Sequence, residues 1–441
     1  MITQAIRQKA LPLIPDNIRH SSYLGVAKTR AKIMGVASKV LPMPRPLLLT
    51  GAEASIELCE LIVSTNFSPI LIVTDKILVG LGVLDIITDC FDAHQVTYHI
   101  YDGVTPDPTF AVVNEGLAIS KKANCEAILA VGGGSVIDAA KMIAMSQGSN
   151  RSPKKLTGML KGRHCLPLYA IPTTAGTGSE ATIGAVVSDD KTHQKSIAIN
   201  PKMVPIAAAI DPNIMKGMPP RITAETGIDV LTHAIEAWMS NTASTDTDFY
   251  AASAVKAVLD HLLTAYKDGD DLVAREAIGV AAHYGGIALN KAGLGYVHAI
   301  AHQLGAYHQI PHGRANAIVL PYILELNAEV SEKRLAALAK KIGAVQDKNA
   351  SDRKIAEQLI QQIKDLLVDL NIDTSVPNMD KANFAEMARG AAREVSDTYA
   401  VPKYMTSDEV QDILGRIKTA SDEAISKAAK DKKGNDKSSA A

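Results

Sequence analysis

Histidine and aspartate recur at helix-turn spacing in the second half of this sequence. The segment Gly-Ile-Asp229-Val-Leu-Thr-His233 sets a carboxylate four residues before an imidazole, and Val-His298-Ala-Ile-Ala-His302 sets two imidazoles the same distance apart. Residues four apart share one helix face, so each pair presents two metal-capable atoms in one direction. Another histidine, His312, follows in Pro-His-Gly. A single histidine on an apolar helix face is an ordinary core or surface residue; two pairs and a third position together favour a metal site. Imidazole nitrogen with one carboxylate suits Zn²⁺ or Fe²⁺, whereas Mg²⁺ or Ca²⁺ would call for an oxygen-rich shell. The candidates exceed the usual four ligands, and spacing does not decide which histidine is spare. An unligated imidazole beside a metal site is suited to relaying a proton.

A second group of residues suits a dinucleotide. Gly132, Gly133, Gly134 and Ser135 follow the apolar run AILAV and precede the helical run VIDAAKMIAM. Glycines let backbone N–H groups crowd around an anion, and the new helix offers its free amides and positive dipole end to a pyrophosphate. The spacing is neither G-x-G-x-x-G nor a Walker loop, and a plain tight turn fits it equally. Asp75 ends the run PILIVTD, where a carboxylate accepts bonds from the 2′- and 3′-hydroxyls of a ribose and repels a 2′-phosphate. The same residue fits a helix N-cap. The small and hydroxylated stretch PTTAGTGSE, residues 172–180, follows the run PLYAI and suits phosphate and amide contacts. Three such loops at strand ends favour a bound dinucleotide.

The elements that must carry these residues follow from the hydrophobic pattern. From about Pro69, short β-rich runs (PILIVTD, VTYHIYD, AILAVGGG) alternate with segments of helical spacing such as Val79–Cys90 and Thr109–Lys122. That alternation predicts a twisted parallel sheet with helices on both faces and ligands at the strands' carboxyl ends. Beyond Asp211 strand signals cease, and helix-compatible segments follow one another from Glu225–Ser240 to Lys427. The domain expectation is an N-terminal extension over 1–45, an α/β dinucleotide-binding domain over 46–211, an all-helical metal-binding domain over 212–420 and a polar tail over 421–441. A basic stretch in the extension, Lys28–Lys39, is expected to form a helix packed on the protein's own surface.

The 441 residues allow two or three domains, and 46 Lys and Arg against 47 Asp and Glu leave a net charge of −1, which offers no field for nucleic acid or an anionic membrane. Cys59, Cys90, Cys125 and Cys165 form no C-x-x-C pair, so no disulfide framework or thiolate zinc site is expected. No apolar run approaches the roughly 20 residues that span a bilayer. The first residues lack the features of a secretory signal, which makes a cytoplasmic location the expectation.

With these motifs in place, the sequence resembles the group III, iron-dependent alcohol dehydrogenases. The resemblance runs from about Pro46 to Arg416 and is carried by GVTPDPT (103–109), GGGSVID (132–138), IPTTAGTGSE (171–180), ETGIDVLTHAIEAW (225–238) and VHAIAHQLGAYHQIPHGRANAIVLP (297–321). It implies a Rossmann-like N-terminal domain and an all-helical C-terminal domain with the metal between them. It also implies metal ligation by Asp229, His233, His298 and His312, which leaves His302 beside the nicotinamide. NAD contacts are implied for Asp75, Asp107, Gly132, Gly133, Gly134, Ser135, Asp138, Thr173, Thr174, Thr177 and Lys195. Members preferring NAD tend to carry Asp at the position of Asp75, and NADP-preferring members Gly.

The activity implied is reversible hydride transfer between a primary alcohol or its aldehyde and NAD, with Fe²⁺, or alternatively Zn²⁺, in the site. Two departures stand out: Asp107 replaces the usual asparagine of P-N-P-T, and Ala400–Lys403 replaces the usual N-P-R at a place expected to lie away from the chemistry. Glycerol dehydrogenase and dehydroquinate synthase share this plan, but PHGRANAIVLP and the Asp-His-His-His set argue for the alcohol dehydrogenase branch. Thr182, Phe249 and Leu294 are candidates to line the substrate pocket. A homodimer or higher homo-oligomer is expected, with Ile199–Ala209 supplying an edge strand.

Overall fold

Strands and helices alternate from Leu47 to Ile210, and helices alone follow. The computed structural model describes Thr29 and residues 43–192, 194–345, 347 and 349–438, with side chains of the last helix described to residue 427. The first half runs β1 (Leu47–Thr50), α1 (Ala54–Ser64), β2 (Ile70–Val73), α2 (Lys76–Gly80), α3 (Asp85–Ala93), β3 (Tyr98–Tyr101), α4 (Phe110–Lys122), β4 (Ala127–Gly132) and α5 (Gly134–Ser149). It continues with β5 (Gly158–Met159), β6 (Leu168–Pro172), β7 (Gly184–Ser188), β8 (Lys195–Ile199) and β9 (Ala207–Ile210).

Six strands pair in parallel in the order β1-β9-β6-β4-β2-β3. Their sequences read as continuous apolar runs because both faces are covered, and β2, β4, β6 and β9 are buried along their whole length. Successive side chains alternate between the faces: Leu71, Val73, Ile128 and Ala130 join one core, while Ile70, Ile72, Ala127, Leu129 and Val131 join the other. From β2 the chain moves outward to β3 and then returns to β4 on the opposite side of β2. That reversal opens a crevice at the carboxyl ends of β2 and β4, where Asp75 and the 132–135 loop emerge.

The second half comprises α6 (Pro212–Met215), α7 (Pro220–Met239), α8 (Thr245–Lys267), α9 (Leu272–Ala292), α10 (Tyr296–His308), α11 (His312–Ile342), α12 (Asp352–Asp369), α13 (Phe384–Thr398) and α14 (Ser407–Ser438). Helix α7 lies at the centre, packed by α8, α9 and α11, and every residue from Gly227 to Met239 is buried. A helix with no solvent face shelters whatever polar groups it carries, and α7 carries Asp229, His233 and Glu236. No helix among the described residues is long and apolar enough to cross a membrane. All four cysteines are free.

One expectation changes. The segment Ile199–Ala209 supplies no sheet edge: its first residue ends β8, the middle strand of the small sheet β5-β8-β7, and its last residues lie in β9 between β1 and β6. The edges of the large sheet are β1 and β3. The polar segment after Ser421 is a continuation of α14, and Ser421 itself is buried, accepting from the Val376 N–H at 3.0 Å and donating to the Ile417 carbonyl at 2.7 Å. Apart from Thr29, the basic stretch Lys28–Lys39 lies outside the described residues.

Candidate metal centre and dinucleotide crevice

Asp229, His233, His298 and His312 converge, with one donor atom of each inside 4.8 Å of all the others. Helix α7 brings the first two on one face, α10 brings His298, and His312 opens α11. The close approach of α11 to α7 depends on Gly313, where a Cβ would stand 2.2 Å from the Glu225 carbonyl oxygen. Asp229 Oδ1 lies 3.6, 3.5 and 3.4 Å from Nε2 of His233, His298 and His312. Ligands about 2.1 Å from a tetrahedral ion stand about 3.4 Å apart, so these separations fit a divalent ion with one oxygen and three nitrogen donors.

The electrostatics suit such an ion. Burial opposes charge on Asp229, but His233, His312 and His298 around it hold its carboxyl well below the usual range. Burial drives His233 down to about 3, so its ring is neutral. His298 is also buried, yet Glu236 and Asp229 beside it lift it to about 9. Asn316, one turn after His312, donates from Nδ2 to Asp229 Oδ1 at 2.7 Å, while its own buried Oδ1 has no partner.

Two carboxylates that spacing alone did not single out address the histidines of α10. Glu236 accepts from the backbone N–H groups of Gly295 at 2.8 Å and Val297 at 2.7 Å, and from His298 Nδ1 at 2.6 Å. One buried side chain thus satisfies free amides at the start of α10 and fixes the tautomer that turns His298 Nε2 toward the cage. Its sequence signal is its place one turn after His233. Glu394 of α13 accepts from His302 Nδ1 at 2.8 Å and from the Tyr399 hydroxyl at 2.8 Å. No spacing rule reaches across the 92 residues between His302 and Glu394. His302 is half-buried, stacked on His312 with ring centroids 5.2 Å apart; burial lowers its pKa against the pull of Glu394.

Across the cleft, the three expected loops sit at the carboxyl ends of the sheet. Asp75 caps α2, its Oδ1 accepting from the N–H groups of Ile77 at 2.9 Å and Leu78 at 3.0 Å. The cap reading holds, and the cap uses one carboxylate oxygen. Gly133 caps α5, and Ser135 lies in its first turn. A Cβ at Gly134 would meet the Thr177 side chain at 2.7 Å, so the glycine and threonine loops lie against each other. Thr173 is buried and donates its N–H to the Gly132 carbonyl at 3.2 Å, while Thr174 is half-buried and Thr177 exposed. Asp107 and Lys195 form an exposed ion pair of 2.8 Å.

Some candidates have other work. Asp138 is half-buried with both oxygens engaged inside the protein, accepting from Ser179 Oγ at 2.6 Å and the Val186 N–H at 2.9 Å. One turn later Lys141, fully buried, donates to the carbonyls of Ser179 (2.6 Å), Thr182 (2.9 Å) and Gly184 (2.7 Å) and lies near the hydroxyls of Ser179 (3.1 Å) and Thr182 (2.9 Å). Thr182 is therefore an anchor of the loop. The far end of this loop joins the helical half: Asn290 accepts from the Ile183 N–H at 3.0 Å, and Glu180 meets His283 at 3.2 Å. The segment Ala400–Lys403 meets the end of α7. The Ala400 carbonyl accepts from the Asn241 N–H at 2.7 Å and Ser240 Oγ at 3.2 Å at the end of α7, next to Tyr399.

A parallel sheet with a glycine-lined crevice, facing a carboxylate–imidazole cage on buried helices, defines a metal-dependent dehydrogenase architecture. Two family models match, "Iron-containing alcohol dehydrogenase" over residues 46–212 and "Fe-containing alcohol dehydrogenase family, C-terminal" over residues 223–418. Alcohol dehydrogenase 4 of Schizosaccharomyces pombe is 37% identical over 360 residues, 81% of this chain and 82% of the relative. Lactaldehyde reductase of Escherichia coli is 32% identical over 361 residues, 79% of this chain and 91% of the relative. The crystal structure of a 1,3-propanediol oxidoreductase superposes with a TM-score of 0.82 at 31% identity, covering 86% of this chain and all of that one. The chain belongs to the iron-containing alcohol dehydrogenase family and is an alcohol oxidoreductase.

Proposed function

We propose that this enzyme interconverts short primary alcohols and their aldehydes with NAD, holding the dinucleotide in residues 46–211 and the ion in residues 212–420. Asp229, His233, His298 and His312 hold the ion. Bound there, Fe²⁺ or Zn²⁺ supplies the Lewis acidity that lets an alcohol hydroxyl ionise near neutral pH. The amides of Gly133, Gly134 and Ser135 at the α5 terminus take the pyrophosphate. Asp75 keeps Oδ2 for the ribose hydroxyls, and that carboxylate disfavours a 2′-phosphate. Asp107 and Lys195 bound the adenosine side, and Thr173, Thr174 and Thr177 face the nicotinamide side. Asp138 serves these contacts by holding the threonine loop in place. His302 receives the alcohol's proton at Nε2. The two halves of the cleft hold the reacting carbons in near-attack geometry and keep water out.

The observation that carries this reading is the single-carboxylate, three-imidazole cage standing at spacings that fit one divalent ion. The relatives' names support the substrate class: one acts on lactaldehyde, one on methanol with NAD and one on 1,3-propanediol. We further propose a cytoplasmic homodimer or larger homo-oligomer. The test is anaerobic assay of purified protein with NAD and a panel of alcohols and aldehydes, with metal analysis on the same sample. His298→Ala is expected to lose metal and turnover together. Full turnover by the metal-free variant overturns the reading.

A further inference from the structure

Helix α10 presents two histidines one turn apart, and each gives Nδ1 to a carboxylate from a different helix. The His298 pairing belongs to the cage. The His302 pairing does not, since His302 is outside the converging set of four. Its partner oxygen, Glu394 Oε1, also receives the Tyr399 O–H at the same 2.8 Å. An oxygen that accepts from a phenol and faces a ring nitrogen at hydrogen-bond distance is a carboxylate acceptor, so the one proton of a neutral imidazole is drawn to Nδ1. That leaves Nε2 bare. Tyr399 is fixed in turn, because the adjoining Ala400 carbonyl is bonded to Ser240 and Asn241 at the end of α7.

We propose that Glu394, braced by Tyr399, is a positioning residue that fixes His302 as a proton acceptor at Nε2. The inference rests on the alcohol dehydrogenase reading above for what that acceptor does. In a neutral imidazole without this carboxylate, the two tautomers compete, and the Nε2–H form has no lone pair to offer the departing proton. Once Nε2 is protonated, the same carboxylate pairs with the imidazolium, the arrangement by which a buried aspartate serves the histidine of a serine hydrolase triad. Proton and electron pair balance simply: the alcohol O–H bond breaks, an Nε2–H bond forms on His302, and hydride passes separately to NAD.

The test uses full-length zinc-loaded protein with NAD and 1-propanol. Glu394→Gln keeps the size of the side chain and removes its charge. It is expected to lower kcat by about 100-fold, the scale of a displaced general base, while KM, NADH affinity and zinc content stay within about threefold of the parent. The solvent deuterium isotope effect on kcat should rise as the proton step becomes limiting. Glu394→Asp should restore at least about tenfold of the loss, and Tyr399→Phe should cost about threefold to tenfold.

Nitrogen-15 spectra of histidine-labelled protein read the tautomer directly and need no turnover. His302 is expected as Nδ1–H in the parent and shifted toward Nε2–H in Glu394→Gln. A kcat within about threefold of the parent in Glu394→Gln, or Nδ1–H retained in that variant, overturns the proposal. If the parent shows the Nδ1–H form but reduces no NAD with any alcohol, the dehydrogenase reading fails while the placement of His302 by Glu394 stands.

Discussion

Replacing Glu236 with glutamine probes how the cage is held, because this side chain has three donors and no solvent. Glu236 Oε2 receives both the Gly295 N–H and His298 Nδ1, and Oε1 receives the Val297 N–H. A glutamine has only one oxygen. Placed at the Oε2 position, it turns its NH₂ group against the Val297 N–H, where 2.7 Å now separates two donors. Placed at the Oε1 position, its NH₂ faces Gly295 N–H, and His298 must become the Nε2–H tautomer to accept from it. That form cannot ligate an ion.

The first outcome loses one charge-assisted bond and strands one buried amide, together about 2–4 kcal/mol of stability. The second strands the Gly295 amide instead, at a similar cost, and also removes a ligand. Either way, loosening an outer partner of a ligating histidine costs about 10- to 100-fold in metal affinity. Zinc affinity is measured by competition with a chromophoric chelator, and stability by melting with and without EDTA. Parent-like zinc affinity in Glu236→Gln, together with an unchanged melting temperature, refutes the reasoning.

Three further outcomes follow from the same geometry. Asn316→Ala removes the 2.7 Å donor to Asp229, a group that also lies 3.2 Å from His298 Nε2 and 3.4 Å from His312 Nε2, so zinc affinity should fall by about tenfold; equal affinity in chelator competition contradicts this. Asp75→Gly should bring the NADP to NAD ratio of kcat/KM up by about tenfold or more, with a few tenths of a kcal/mol lost at the α2 cap; an unchanged ratio places ribose selection elsewhere. The raised His298 pKa of about 9 means that the ion-free cage holds a proton at neutral pH, whereas His233, near 3, holds none. Zinc uptake at pH 7 should therefore release about one proton, and affinity should climb with pH until about 9 and then level. Calorimetry in buffers of different ionisation heat counts the proton, and uptake with no release contradicts the assignment. In the ion-free chain the same group stabilises the fold fully below its ordinary pKa, and that contribution is lost as pH rises through about 9.

Local periodicity made the skeleton legible. The runs PILIVTD and AILAV are β2 and β4 because parallel strands covered on both faces tolerate unbroken apolar sequence. The i, i+4 pairs Asp229–His233 and His298–His302 lie on helices as their spacing requires. Val79–Cys90 reads as one helix, but Gly82 adopts φ 70° and separates α2 from α3. What spacing could not supply was partnership across the chain. Whether His302 or His312 joins the cage depends on how α11 meets α7, and the carboxylate behind His302 comes from a helix far along the sequence. Direction was hidden too: a motif places Asp138 on α5 without telling that its carboxylate engages Ser179 and Val186.

Lys141 gives the nucleotide half a cation of its own, one that is covalently part of the chain. Its ammonium is ringed by oxygens much as a bound potassium ion would be, and burial lowers its pKa only to about 8, so it stays charged at neutral pH. A chelator can empty the catalytic cage but can do nothing to this tether. On the function proposed above, stripped enzyme should therefore still dock its dinucleotide while losing turnover.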